Sequence, residues 1–161
     1  MRIPTLFLRD PRTLRVRPEV RPGCEWVLDG EGQATRMYDG IGLLFDGAGW
    51  YLSGSRSASG QESWRAVGED GRLMSWIAEG LGEAQTLIPG TYELCGPDIV
   101  GNPEGFAERV LIRHQGLPGL DNVPRSYDSL SDFLRSWPHE GVVWHHPAGK
   151  MAKLRSTDFP T

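Results

Sequence analysis

Short runs of apolar residues, separated by turn residues, dominate the pattern of hydrophobic and polar positions along this chain. Asp46-Gly47 and Pro147-Ala148-Gly149 are strong turn signals between such runs, and the first of them predicts a hairpin over residues 45–52. Strands are predicted at residues 25–28, 40–45, 49–53, 91–95, 109–114, 141–146 and 151–155.

Two segments instead repeat their apolar residues at the helical spacing. Residues 71–84 place Leu73, Trp76, Ile77 and Leu81 on one face, which predicts an amphipathic helix. Residues 126–137 predict a second helix, with Ser126 or Asp128 as its N-cap and Pro138 after its end. Strands outnumber helices and the connections are short, so the expected fold class is α+β with antiparallel sheets.

Length and composition fit one globular domain, since the chain has 161 residues, of which 39% are hydrophobic. No apolar run approaches a membrane span, and the N-terminus is a poor signal peptide, so no membrane association is expected. The two cysteines, Cys24 and Cys95, are too few for a disulfide framework and predict reduced thiols in a cytoplasmic protein. The net charge is −4, but residues 9–21 contain five arginines. This run could form a local basic surface or an ordinary solvated face.

Four segments concentrate the residues that could carry chemistry. They are TRMYDG (35–40), GTYELCGPDIVGNPEG (90–105), HEGVVWHH (139–146) and GKMAKLRSTDF (149–159). Asp39, Glu93 and Glu140 could hold Mg²⁺ or its waters, while Lys153 and Arg155 could neutralise phosphate oxygens. Turns and solvent-facing strand positions are the ordinary alternative for each segment.

In this order, the four segments resemble nucleotidyltransferase motifs I, III, IV and V of the ATP-dependent ligases and mRNA-capping enzymes. YELCGPDIVGNPEG is similar to the GEL-(V/I)-GP-x-I-x-GNP form of RNA ligases, which makes that branch the closest resemblance. The resemblance implies a nucleotidyltransferase fold, that is, an ATP-grasp-like adenylation domain of ligases and capping enzymes, with antiparallel sheets flanked by helices. It further implies a single minimal domain over residues 1–161, with no appended C-terminal or OB domain.

The family motif K-x-D-G falls on Met37-Tyr38-Asp39-Gly40, so methionine stands where the resemblance implies the catalytic lysine. That lysine would take AMP from ATP and pass it to a 5′-phosphate RNA end, which a 3′-hydroxyl end then attacks. The implied catalytic positions are Met37, Lys153 and Arg155. The implied metal positions, for Mg²⁺ or Mn²⁺, are Asp39, Glu93 and Glu140.

The ATP-binding positions implied by the resemblance are Asp39, Gly40, Arg56, Glu93, Glu140, Val142, Lys153 and Arg155. Two assignments stay open. Arg56 could be the motif Ia arginine or a surface arginine, and Val142 and Val143 could line a base pocket or belong to the core. His114, His139, His145 and His146 do not predict a metal site, because no spacing among them and the cysteines suits zinc.

Methionine keeps the length and flexibility of a lysine stem and lacks only the terminal amine. The preferred interpretation is therefore an RNA ligase domain, of the kind used in RNA repair, inactivated by a Lys-to-Met change at Met37 that leaves ATP unreacted. The alternatives are a natural core methionine beside a turn, a non-catalytic ATP- and RNA-binding relative, and a DNA ligase or capping guanylyltransferase.

Overall fold

The structure is a computed structural model that describes residues 3–53, 64–68, 70–82 and 87–161. Its strands are β1 (Phe7–Arg9), β2 (Val16–Val20), β3 (Gln33–Met37), β4 (Ile41–Phe45), β5 (Trp50–Ser53), β6 (Trp64–Ala66), β7 (Gly90–Cys95), β8 (Val110–Arg113), β9 (Gly141–His145) and β10 (Met151–Arg155). Its α-helices are α1 (Glu25–Leu28), α2 (Gly71–Leu81) and α3 (Tyr127–Ser136), and 3₁₀ turns cover His114–Gly116 and Ser156–Asp158.

The chain packs as two compact units, each with its own apolar core. Unit 1 comprises Tyr38–Leu117, and unit 2 comprises Ile3–Met37 together with Pro118–Thr161. Helices and antiparallel sheets occur in both, so the α+β expectation is confirmed. The nucleotidyltransferase class and the single minimal domain stay predictions.

In unit 1, the strands pair antiparallel in the order β6-β5-β4-β7-β8. Leu43, Tyr92 and Leu94 lie on one face of this sheet and are buried in a core that Ile77 of α2 shares. Asp70 caps α2 by accepting the Leu73 N–H at 3.1 Å, which confirms the predicted helix over the described residues. The predicted C-terminal end of that helix, at residues 83–84, lies outside them.

In unit 2, β9 pairs with β3 on one side and β10 on the other, both antiparallel, and β1 pairs with β2. Trp144 of β9 is fully buried among Phe7, Leu130 and Leu134, so α3 and β1 contribute to the same core. The Ser126 hydroxyl accepts the Ser129 N–H at 3.4 Å, which confirms Ser126 as the N-cap of α3.

One predicted strand is wrong, because residues 25–28 form α1. The Asp29 N–H donates to the Glu25 carbonyl at 3.0 Å, closing a single helical turn. Trp26 and Val27, which are adjacent in this turn, are both buried. A four-residue apolar run has no period that separates strand from helix, which explains the error.

The strand pattern fails to predict β1, β2, β3 and β6. In β2, three of the residues are exposed and Pro18 lies at an edge, so that strand has little apolar signal. In β3, the sequence QATRM mixes small and charged residues and has no clear apolar pattern. Its strand is defined by pairing with β9. This omission matters because β3 carries Met37 at its last position.

Two further expectations concern the environment of the chain. Cys24 and Cys95 are both free and buried, which confirms the prediction of unpaired thiols. Over the part of the chain that the structure describes, no helix has the length and apolar character needed to cross a bilayer.

Candidate functional site

The register of the unit 2 sheet aligns three motif positions that are far apart in the sequence. Met37 of β3 is the direct partner of Gly141 of β9, and Gly141 is also the direct partner of Arg155 of β10. Neighbouring strands lie about 4.8 Å apart, so this row places Met37 and Arg155 about 10 Å apart at the backbone. The predicted motif I, IV and V positions therefore meet in one row.

Strand alternation sorts the remaining unit 2 residues onto two faces of the sheet. Lys153 is two residues before Arg155, and the row Thr35–Val143–Lys153 runs beside the row Met37–Gly141–Arg155 on the same face. Val142 projects from the opposite face, where it is fully buried in the core. This placement favours the core interpretation of Val142, while Val143 shares a face with the cations.

Gly141 is required by close packing at the start of β9. A Cβ built at this position would overlap the Leu154 carbonyl oxygen and would lie 3.0 Å from the Arg155 Cα. Both neighbours belong to the backbone of β10, so no side-chain rotation could relieve the overlap. The Glu140-Gly141 pair therefore opens a strand rather than forming a simple turn, and it leaves no side chain between Met37 and Arg155.

The end of β10 carries a set of charges that hold one another. The Arg155 Nε lies 3.2 Å from the Glu140 Oε1, which makes an ion pair without a hydrogen bond at this nitrogen. The Arg155 backbone N–H donates to the Asp158 Oδ2 at 2.8 Å, and the Arg9 guanidinium pairs with the other oxygen of Asp158 at 2.8 Å. Asp158 is 5% exposed, so this carboxylate anchors Arg155 from within the protein.

Asp158 was not among the predicted site residues, although it lies in the KLRSTDF segment. Arg9 belongs to the arginine-rich residues 9–21, for which a basic surface was one interpretation. Arg9 is instead paired with Asp158, and the Arg21 Nε donates to the Thr5 carbonyl at 2.8 Å. These two arginines therefore stabilise unit 2 internally.

Met37 and His139 are both uncharged neighbours of this charged end. Met37 is 7% exposed and adds only an apolar thioether. Burial, with a smaller effect from the Arg36 charge, holds the pKa of His139 below its usual range. His139 is therefore mostly neutral at pH 7 and adds little positive charge beside Glu140.

In unit 1, β7 holds the Asp39-Gly40 backbone. The Gly40 N–H donates to the Glu93 Oε1 at 3.1 Å, and the Cys95 thiol contacts the Asp39 carbonyl at 3.6 Å. A Cβ on Gly40 would overlap the Leu94 carbonyl oxygen and would lie 2.8 Å from the Cys95 Sγ. Glycine at this position therefore allows the Asp39-Gly40 part of predicted motif I to lie against β7.

The Glu93 side chain has a second partner that the sequence did not identify. Its Oε2 lies 3.0 Å from the Nε2 of His114, and the Nδ1 of the same ring lies 2.9 Å from the Thr91 Oγ1. The side chains of Glu93 and His114 are 15% and 19% exposed. The only sequence signal was the alternation of Thr91 and Glu93 with apolar residues along β7, which places both on one face.

The GPDIVGNPEG loop after β7 is closed by Asn102, whose side chain donates to the Phe106 carbonyl at 2.9 Å and accepts its N–H at 3.1 Å. Asp98, Val100 and Asn102 all have positive φ, of 67°, 52° and 50°. The value at Val100 is unusual for a β-branched residue. Val100 is 54% exposed whereas Ile99 is 1% exposed, so this loop buries one aliphatic side chain and presents the next.

The predicted carboxylate set divides between the units, with Asp39 and Glu93 in unit 1 and Glu140 in unit 2. Among the described residues, no group of three or more His, Cys, Asp and Glu side chains could hold a metal ion. Arg56 lies outside the described residues.

Comparison of the chain with protein-family models and with curated proteins gives no match. The resemblance to nucleotidyltransferases therefore rests on the sequence motifs alone.

Proposed function

We propose that this chain is an RNA ligase domain of the covalent nucleotidyltransferase superfamily, which binds ATP but lacks the amine that accepts AMP. The observation that carries the proposal is the row Met37–Gly141–Arg155. It joins positions predicted as motifs I, IV and V, although nothing in the motif resemblance specifies strand pairing. The pairing of β3 with β9 brings Met37 and Gly141 together from distant parts of the sequence.

In unit 2, Lys153 and Arg155 supply positive charge for the phosphates of ATP. The Arg155 side chain is 36% exposed and its partner Glu140 is 25% exposed, so this ion pair is open to exchange with an anion. Guanidinium groups bind phosphate oxygens through parallel N–H donors, and lysine provides a compact point charge. Asp158 accepts from the Arg155 backbone N–H, so the backbone stays fixed while the Arg155 side chain exchanges Glu140 for phosphate.

In unit 1, the carboxylates of Glu93 and Asp39 bind polar groups of the nucleotide. Glu93 is already oriented by the Gly40 N–H and the His114 ring. Mg²⁺ commonly binds through one or two carboxylates together with substrate phosphates and water, so the described carboxylates suit a metal that enters with ATP. When bound, the metal would neutralise phosphate charge.

A lysine at position 37 would form a bond from its neutral Nζ to the α-phosphorus while the bond to the β-phosphate breaks. Pyrophosphate would leave, and the Nζ proton would be lost to solvent. AMP would then pass to an RNA 5′-phosphate, from which a 3′-hydroxyl end displaces it. The Met37 thioether has no proton to lose and is only a weak acceptor, so this sequence stops at bound ATP.

Calorimetry of ATP binding in the presence of Mn²⁺ tests the proposed binding site. Lys153→Ala should weaken the affinity at least tenfold, because a charge-assisted contact to phosphate is lost. Lys150→Ala is the matched control, since Lys150 is exposed just before β10, 5.9 Å from the Trp26 ring. Equal affinity of the two variants would contradict the proposed phosphate contact.

The RNA branch has a separate test in the Met37→Lys protein. This variant should join an RNA 3′-hydroxyl end to a 5′-phosphate end faster than it seals an all-DNA nick, since the YELCGPDIVGNPEG segment resembles the RNA ligase form. Equal rates would favour a DNA ligase.

The second candidate function, a non-catalytic ATP- and RNA-binding protein, is favoured by the burial of Met37. ATP binding by a Met37→Lys variant that remains catalytically silent would support it.

A further inference from the structure

Four side chains on and beside β7 form a hydrogen-bonded chain whose direction follows from the chemistry of its ends. The Thr91 backbone N–H can only donate, and it contacts the Gln115 Oε1 at 3.3 Å. This contact orients the Gln115 amide, whose Nε2 donates to the Thr91 Oγ1 at 2.9 Å. The Thr91 hydroxyl is then left to donate its own proton.

At the other end of this chain, the ionised Glu93 carboxylate can only accept. The His114 Nε2, 3.0 Å away, therefore carries a proton and donates it. When the ring is neutral, its Nδ1 must accept, and the Thr91 hydroxyl 2.9 Å away donates to it. In that neutral form every donor in the series points toward Glu93, and the ring carries its proton on Nε2.

We propose that His114 is a positioning residue of the nucleotide site, acting through Glu93. This inference rests on the proposed function. The Gly40 N–H holds the Glu93 Oε1 at 3.1 Å while His114 holds the Oε2, so both oxygens of the carboxylate are fixed. Each oxygen keeps a second lone pair for a hydroxyl or amine donor on the nucleotide.

The surroundings of Glu93 favour access by a ligand over a purely structural role. Its direct partner on β4 is Gly42, and a Cβ built there would meet no atom within 4 Å. The sheet is therefore bare on the β4 side of this oriented carboxylate, whereas its direct partner on β8 is Ile112. Leu43 and Tyr92, on the opposite face, are both buried in the core.

A second histidine–glutamate pair in the chain provides a matched control. The His146 Nε2 lies 2.9 Å from the Glu31 Oε2 in unit 2, a distance close to that of the His114 pair. Glu31 is 55% exposed, however, whereas Glu93 is 15% exposed. Solvent competes for the Glu31 carboxylate, so His146 cannot fix it to the same degree.

The test measures ATP affinity with Mg²⁺ by calorimetry in the unmodified chain and its variants. His114→Phe removes both ring nitrogens and should weaken affinity about tenfold. His114→Gln keeps an amide donor near the Nε2 position and should recover most of this loss. His146→Phe should leave the affinity within twofold of the unmodified chain.

The decisive comparison is made in a Glu93→Gln background. If His114 acts through Glu93, adding His114→Phe to Glu93→Gln should weaken ATP binding no further. Multiplicative losses in the double variant would overturn the inference, as would unchanged affinity in His114→Phe. If ATP does not bind the unmodified chain, the proposed function fails and the inference fails with it. If Lys153→Ala weakens binding and His114→Phe does not, only the inference fails.

A measurement on the unmodified chain keeps the test independent of whether the variants fold. Nitrogen-15 chemical shifts of the neutral His114 ring should show the proton on Nε2, and Mg²⁺-ATP should shift these signals more than those of His146. A proton on Nδ1, or equal responses of the two histidines, would overturn the inference.

Discussion

Replacing Gly40 by alanine tests whether the predicted motif I backbone is held against β7. The added Cβ would overlap the Leu94 carbonyl oxygen, and it would lie 2.8 Å from the Cys95 Sγ and 2.9 Å from the Leu94 carbonyl carbon. Two of these three atoms belong to the backbone of β7, so the Asp39-Gly40 segment must move away. That movement lengthens the 3.1 Å hydrogen bond from Gly40 to Glu93.

Two terms set the size of the effect. Overpacking against a fixed backbone costs about 1–3 kcal/mol, and a hydrogen bond to a charged acceptor contributes about 1.5–3 kcal/mol. Because one displacement causes both losses, they are not additive, and we expect the free energy of unfolding to fall by about 2–4 kcal/mol. With a urea slope of about 2 kcal/mol/M, the midpoint of unfolding should fall by about 1–2 M.

The assay is urea unfolding followed by tryptophan fluorescence, with Gly42→Ala as the control. A Cβ at Gly42 would meet no atom within 4 Å, so this change should be neutral or stabilising by up to about 1 kcal/mol. Equal unfolding midpoints for the two variants would refute the close contact between the Asp39-Gly40 segment and β7.

Two further predictions concern unit 2. Asp158→Asn should lower the free energy of unfolding by about 2–3 kcal/mol, because it breaks a largely buried ion pair with the one-third exposed Arg9. Urea unfolding measures this loss. A change below about 0.5 kcal/mol would contradict the prediction. Burial raises the pKa of the Cys24 thiol, so the unfolded chain loses this proton first and stability should fall as the pH rises above about 8.5. Cys24→Ala should reduce that alkaline slope in urea titrations between pH 8 and 10, and an unchanged slope would count against the burial effect.

Local pattern was enough to predict the elements that have a strong period or clear end signals. Residues of α2 and α3 repeat at the helical spacing, and Asp70 and Ser126 cap them with their side chains. The central strands β7 and β9 carry apolar residues that the two cores bury. These signals lie within a single segment, so they can be recognised without knowing which other segment it pairs with or packs against.

Features that depend on pairing could not be predicted in the same way. β3 has a weak pattern, and only its register with β9 shows that Met37 lies beside Gly141. The partnership of Glu93 with His114 joins β7 to the 3₁₀ turn after β8, at a separation that no motif spacing specifies. Asp158 likewise acquires its role only when β1 brings Arg9 to it.

The most direct test of the central claim is intact-mass analysis of Met37→Lys after incubation with ATP and Mg²⁺. Met151→Lys is the control, because it places an amine on the same face of the unit 2 sheet, four residues along the strands from the Met37 row, or about 13 Å away. Met37→Lys should gain the mass of one AMP and lose it when pyrophosphate is added, whereas the unmodified chain and Met151→Lys should gain none. A folded Met37→Lys protein that binds ATP and forms no adduct would contradict the assignment of this position as the nucleophile of an RNA ligase.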